Sequence, residues 1–496
     1  MTAKSIIIIG AGVGGLSAGI YGQMNGYRTQ IFEMHSLPGG QCTSWQRKGY
    51  TFDVCIHHLL GCSPQSRLNS LWRELGAMPA ELVYPQECVA ACSPDGKLFR
   101  DYYDPDLLES HLKELSPADA RVIDDYVAAI RFYAPTDLWG RLMVGTLGDK
   151  LGALPTLLGS LRWVRPTMKQ FAERFRDPFL RRAFPLLEYS FPDMPFILHL
   201  QKHGLGAIGD IAWPIGGSLA FARAIERRYV ELGGEVHYCQ RVEKILTEND
   251  RAVGVRLADG SEHRADIVIS NADGRKTIME MLDGRYADAR IRRYCGPPPD
   301  ETNWAVHVFL GVNRDLSAEP SALVMLLDQP VTIADKVMHS LEMQMYGFDP
   351  TMAPPGQGVI KVELVSSYSY WKALYADRNR YDEEKARVAE TVIRLLEAHF
   401  PGLKSQIEAV DVPTLLSWER YMGGTHGFNN APAKKQNLIL ALFSAGLDME
   451  LPGLKNFYFV GMWATSTGTL FANALSGKKA IQTICQRDGK RPSPEN

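Results

Sequence analysis

Cysteine is scarce. Eight occur in 496 residues, at 42, 55, 62, 88, 92, 239, 295 and 485. None forms a C-x-x-C pair, and the one close pair, Cys88 and Cys92, lacks a second pair of metal ligands. Reduced thiols in a cytoplasmic protein are expected, with no disulfide framework and no metal site. An excess of one charge sign is also missing. The formal net charge is −2, so no nucleic-acid partner is expected. No apolar run reaches the roughly 20 residues that a membrane-spanning helix needs. The apolar N-terminal run leads straight into glycines without a cleavage-like region, so no signal peptide is expected. There is no internal repeat, and nothing supports a Ser–His–Asp arrangement.

What is present begins at residue 5: SIIIIGAGVGGLSAGIYGQMNGYRTQIFE. Ile6 to Ile9 suit a strand buried on both faces. Gly10 permits a tight turn. Gly12, without a Cβ, lets a pyrophosphate approach the backbone. Gly15 lets the next helix pack closely on the strand. The helix that starts here presents free N–H groups to phosphate. Tyr27 to Phe32 reads as a second strand. It ends at Glu33, where a carboxylate can accept hydrogen bonds from ribose hydroxyls and would repel a 2′-phosphate. FAD or NAD therefore fits better than NADP. A second glycine match, Gly204-Leu205-Gly206-Ala207-Ile208-Gly209, follows the polar stretch HLQKH and soon meets Pro214. It reads as a flexible loop. One nucleotide site is expected, which favours a tightly held flavin over nicotinamide.

The length allows two interwoven domains. The nucleotide domain is expected from residues 1–104, 205–280 and 440–487. A helical cap should span 105–204 and a mixed substrate domain 281–439, with a polar, disordered tail at 488–496. A helix is expected near 218–232 and a hairpin through Asp259-Gly260. Strands are expected at Val306 to Val312 and Val359 to Val365, and a helix over Asp382 to Phe400.

Three blocks carry a resemblance. The first is GAGVGGLSAG with Glu33, PGGQCTSW and GYTFD. The second is WPIGGSLAFARAIERRYVELGGEVHYCQRVEKI with AVGVRLADGSEHRADIVISNAD. The third is NFYFVGMWATSTGTLFANALSGKKA. In this order they resemble the phytoene desaturase-like FAD-dependent oxidoreductases, a family that includes carotenoid isomerases and retinol saturases. The resemblance implies an α/β fold: a Rossmann-like FAD-binding domain built from discontinuous segments, with an inserted mixed α+β substrate domain and a helical cap. It implies Gly10, Gly12, Gly14 and Gly15 at the pyrophosphate and Glu33 on the ribose. Gly39 and Gly40 would follow the phosphates and ribityl chain, Val242 the adenine, and Gly461 and Gly468 the flavin end. Gln41 departs from the arginine of many relatives. WATSTGTLFAN lacks the proline-rich sequence common in carotenoid desaturases.

The reaction implied is desaturation, saturation or double-bond isomerisation of an apolar polyene or isoprenoid-like substrate, with hydride transfer at flavin N5. The acid–base candidates are His57, His58 and His426; Trp418 and Tyr421 are expected as walls of an apolar tunnel. Two rivals share the fold. One is a flavin amine oxidase; the other is a non-catalytic lipid-binding protein of the GDP dissociation inhibitor type. Residues 138–164, apolar with Arg141, Lys150 and Arg162 interspersed, read either as a core cap or as a peripheral contact with the inner face of the membrane.

Overall fold

A computed structural model describes residues 3–134, 136–188, 192–426, 449–465 and 468–493. The isoleucine run forms the strand Ser5–Ile9 at the centre of a five-stranded parallel sheet. Across the sheet the order is Glu235–His237, Arg28–Phe32, Ser5–Ile9, Ile267–Ser270 and Phe457–Phe459. Ile6 and Ile8 pack toward the helices Val13–Met24, Gly217–Glu231 and Leu470–Arg487. Ile7 and Ile9 pack against a three-stranded antiparallel sheet through Val242, Ile245, Val255 and Leu257. Both faces are covered, so the strand is apolar throughout. Each fully buried isoleucine contributes about 1.5–3 kcal/mol. The hairpin strands Arg251–Leu257 and Glu262–Arg264 join through Asp259 and Gly260, as expected.

A seven-stranded sheet forms the second layer. Its order is Ile407–Asp411, Glu301–Val312, Gly358–Ser367, Lys336–Met345, Ala322–Ile333, Glu87–Cys92 and Leu98–Tyr102. The first 104 residues are thus not all nucleotide domain. Residues 87–102 supply two strands here, because the wholly buried Glu87–Cys92 pairs in parallel with Ala322–Ile333. The hairpin of Ala322–Ile333 and Lys336–Met345 was not anticipated. The helix expected over 382–400 runs Arg378–His399, capped by Asp377.

The helical cap is built around Tyr126, Phe171, Phe184 and Phe196. Gly204 to Gly209 is not the expected loop: Gly204 and Gly206 lie within the helix Phe196–Ala207. A Cβ on Gly204 would stand 2.8 Å from the Tyr133 carbonyl carbon, and one on Gly206 would enter the Tyr103 ring. These glycines serve close packing. The polar HLQKH stretch is core because its charges are paired. His203 Nε2 lies 2.8 Å from Asp101, His199 Nδ1 2.8 Å from Glu188, and Lys202 3.2 Å from Glu188. The Tyr126 hydroxyl joins Asp101 to His199.

The start of the tail is held rather than loose. Asp488 accepts from Lys4 and Tyr27, and the Ser493 N–H donates to Asn25 Oδ1 at 2.8 Å.

Gly206→Val should destabilise the fold by overpacking, by about 1–3 kcal/mol, without altering nucleotide content per folded molecule. A denaturant titration read beside the bound-cofactor absorbance checks both halves.

Candidate functional site

Gly10 adopts φ +94° and turns the chain out of the first strand, its N–H donating to Phe32 O at 2.8 Å. Gly12 is the N-terminal boundary of the helix Val13–Met24. Glu33 closes the turn: Oε2 accepts from Ala11 N–H at 2.7 Å and Oε1 from His35 N–H at 2.8 Å. Burial raises the Glu33 pKa, against the pull of these N–H groups. The Pro38-Gly39-Gly40 turn lies beside the glycine loop, with Gly39 N–H on Ala11 O at 2.9 Å and a bridge from Gly39 to Gly12.

Asn271, at the end of the strand Ile267–Ser270, stands at the middle of this arrangement. A Cβ on Gly12 would be 2.6 Å from Asn271 Nδ2, and one on Gly14 would be 2.7 Å from Asn271 Oδ1 and 2.9 Å from Gly461 N. Gly477 brings the C-terminal helix onto the first; a Cβ there would be 2.6 Å from Ala18 N. Ser17 Oγ adds a bond to Ala474 O at 2.6 Å. Residues 15–19 spell G-x-S-x-G, but Ser17 is buried inside the helix, so this is no nucleophile elbow.

Three cavities lie in series. One of about 860 Å³ is lined by Gly10, Gly12, Glu33, Gly40 and Val242. A second, about 400 Å³, is lined by Gly12, Gly14, Gly39, Gly40, His57, His58, Gly461 and Gly468. The two share Gly12, Gly40 and Asn271. A third, about 370 Å³, shares His57, His58 and Glu363 with the second and extends past Lys202, Trp213, Glu342 and Tyr346. Gly15 lines none of them: a Cβ there would enter Gly10 O, so it serves helix-on-strand packing. His426 stacks on Tyr368 at 3.8 Å between ring centres and is not among the lining residues of the three cavities. Trp418 and Tyr421, expected as tunnel walls, line the Glu33-side cavity instead.

His57 and His58 are held by a chain of bonds. Asp53, its pKa raised to about 6 by burial, accepts from both the N–H and the hydroxyl of Ser218 at 2.6 Å. Ser218 Oγ in turn accepts from Ile56 N–H at 2.9 Å. His57 Nε2 faces Glu363 at 3.2 Å, and Lys361 Nζ lies 3.0 Å from the same carboxylate oxygen. Burial opposes ionisation of Glu363, yet Lys361 and His57 outweigh it and hold the carboxyl well below its usual range. Burial pushes His57 down, against the pull of Glu363. It pushes His58 well down, with Lys202 adding to the shift.

Sequence reasoning missed Asn271, Lys202, Glu342, Lys361 and Glu363. One signal was available. In the strand Gly358–Ser367, Ile360, Val362 and Leu364 face one apolar core. The alternate positions carry Lys361 and Glu363, charges that a merely structural strand would not bury.

A family model described as flavin containing amine oxidoreductase matches residues 13–485, and the chain belongs to that family. It is an FAD-dependent oxidoreductase. Among proteins similar to it, the chloroplastic prolycopene isomerase of Arabidopsis thaliana is 27% identical over 470 residues, 85% of this chain and 73% of that protein. The lycopene-forming phytoene desaturase of a Paracoccus species is 25% identical over 520 residues, 98% of each chain. A crystal structure of an oxidoreductase from Methanosarcina mazei superposes with a TM-score of 0.62 at 19% identity, covering 96% of this chain and all of that one. The residues present fit FAD. The first two cavities join at Cβ-free glycines, which is the access a pyrophosphate needs. Asn473 Oδ1, in the wall of the second, is buried without a partner among the described residues.

Gly12→Val should abolish FAD retention, because the new side chain collides with Asn271 at the junction between the two cavities. Glu33→Ala should weaken binding by about 1–3 kcal/mol. Flavin absorbance after gel filtration measures both; full flavin content in Gly12→Val contradicts this placement.

Proposed function

We propose that this oxidoreductase acts on a long, largely apolar polyene or isoprenoid-like substrate, received by the cavity beyond His57 and His58. The observation that carries the reading is the wall that this cavity shares with the glycine-lined one, formed by His57, His58 and Glu363. Substrate admitted from one side would meet the cofactor from the other. The names of the relatives, a prolycopene isomerase and a phytoene desaturase, support the substrate class.

In this reading Gly10, Gly12 and Gly14 face the pyrophosphate and Glu33 the ribose. Gly39 and Gly40 follow the phosphates, Val242 meets the adenine, and Gly461 and Gly468 lie at the flavin ring. The helix Leu470–Arg487 starts beside Gly468, and its N-terminus favours negative charge there. Bound flavin supplies a hydride acceptor or donor, which suits desaturation, saturation or double-bond isomerisation. The chain supplies orientation and a dry wall, through Leu186, Leu187, Trp213 and Phe348. His57, 3.2 Å from Glu363, can hold a proton at the shared wall.

Among the described residues no helix is long and apolar enough to cross a membrane. Residues 138–164 form three short helices, Leu138–Met143, Leu147–Gly152 and Leu154–Val164. Leu138, Ala153 and Trp163 pack inward. Leu147, Leu151, Leu154, Leu158 and Leu161 point to solvent, from 49% to 75% exposed. A row of leucines at helical spacing with Lys150 and Arg162 nearby fits the headgroup boundary of an anionic bilayer, where an apolar substrate would be dissolved. The segment is thus a cap on one face and a lipid contact on the other.

Anaerobic mixing with candidate polyenes, followed near 450 nm (roughly where oxidised flavin absorbs), tests the chemistry. Bleaching is the expected result for desaturation. Turnover only after prior reduction is expected for saturation, or for isomerisation where product mass is unchanged. Rapid bleaching by a small primary amine, with none by any polyene, overturns the reading in favour of an amine oxidase.

For the membrane contact, the protein should float with anionic liposomes. The double variant Leu158→Glu, Leu161→Glu should not float, with its flavin content intact. Equal flotation of both proteins, or none by either, rejects the contact.

A further inference from the structure

The third cavity is not lined as a hydrocarbon tunnel would be. Its walls include Trp213, Tyr346 and Phe348, but also Lys202, Glu342 and Glu363. Glu342 and Glu363 are directly opposite each other on the antiparallel strands Lys336–Met345 and Gly358–Ser367. Residues so paired project from the same face of a sheet, and two like charges in such a pair repel. The two carboxyls are provided for very differently. Glu363 has Lys361 at 3.0 Å and His57 at 3.2 Å. Glu342 has no hydrogen-bond or ion-pair partner among the described residues, and burial together with Glu363 raises its pKa well above the usual range. Its carboxyl is part of the cavity wall, and in the protonated form it can both donate and accept a hydrogen bond.

A carboxyl of this kind costs stability. Where a position needs only to be filled, leucine or methionine would do so without that cost. The neighbouring positions hold to the same polar pattern: Gln344, opposite Lys361, also lines the cavity. This sheet face is therefore built to meet a polar group inside a largely apolar space.

We propose that the substrate is amphipathic, an isoprenoid-like chain that carries a hydroxyl, carbonyl or carboxyl group, and that Glu342 hydrogen-bonds that group. The proposal rests on the reading of this cavity as the substrate site. It also orients the substrate. Glu363 belongs to both the second and third cavities, and adjacent strands are about 4.8 Å apart. The polar group thus sits roughly one strand spacing from the flavin-side chamber, and the bond that reacts lies near the functionalised end of the chain rather than at its middle.

The test uses the FAD-loaded protein and two C20 polyenes of the same carbon skeleton, one a hydrocarbon and one ending in a primary alcohol. Binding is read from the perturbation of the flavin spectrum. Wild type should bind the alcohol about tenfold or more tightly than the hydrocarbon. Glu342→Leu should cancel that preference by weakening the alcohol alone, while its denaturation midpoint does not fall. Glu342→Gln, which keeps a donor and an acceptor, should retain most of the preference. An alcohol-to-hydrocarbon ratio that is the same in wild type and Glu342→Leu overturns the proposal, as does tighter binding of the hydrocarbon by wild type. Binding of both polyenes without discrimination leaves the cavity as the substrate site but removes the role of Glu342. If neither polyene perturbs the flavin, the reading of the cavity fails and this inference with it.

Discussion

Everything at the nucleotide end depends on one close approach of backbones. Gly14 on the first helix, Gly461 after the last strand and Gly477 on the last helix meet with no room for a Cβ, and Asn271 fills the remaining space. The contact brings segments from the beginning, middle and end of the chain into register. The parallel sheet, the alignment of Val13–Met24 with Leu470–Arg487 and the junction between the first two cavities all follow from it. Dispersion at such distances is strong because many atoms touch.

A second set of constraints runs through polar groups. Asp101, His203, Tyr126, His199, Glu188 and Lys202 form one bonded chain through the helical cap. Lys202 is also part of the wall of the third cavity. Glu363 and His57, also in that wall, form another set with the buried Lys361. Networks of this kind are rigid when satisfied, because each bond orients the next in a low-dielectric interior. The cap and the sheet therefore present fixed dipoles to the space between them.

The nucleotide end was legible in the sequence because it depends on residue types with few substitutes. Gly12 and Gly15 are demanded by space, Glu33 by its place after a strand, and Ile6 to Ile9 by burial on both faces. The hairpin at Asp259-Gly260 and the helix before Gly233 were readable for the same local reasons. The substrate end was not. Glu342 acquires meaning only from Glu363 on the opposite strand, and strand pairing is not written in local periodicity. Gly204 and Gly206 misled because the same residue type serves turns and close helix packing, and the HLQKH stretch seemed too polar for a core until its partners were known. Residues 427–448 lie outside the described structure, and with them the boundary expected at 440.

The order of strands in the parallel sheet also has a temporal meaning. Ser5–Ile9 lies between Arg28–Phe32 and Ile267–Ser270, and the edge beyond is completed only by Phe457–Phe459. The second neighbour of Ser5–Ile9 comes from residues 267–270 and the strand beyond it from residues 457–459, so the sheet is completed by pairings far apart in the sequence. Such distant pairings fold slowly and leave apolar edges uncovered in the meantime. The cavity that Gly12 and Gly14 begin is therefore complete only once Gly461, Gly468 and Asn473 have docked beside them.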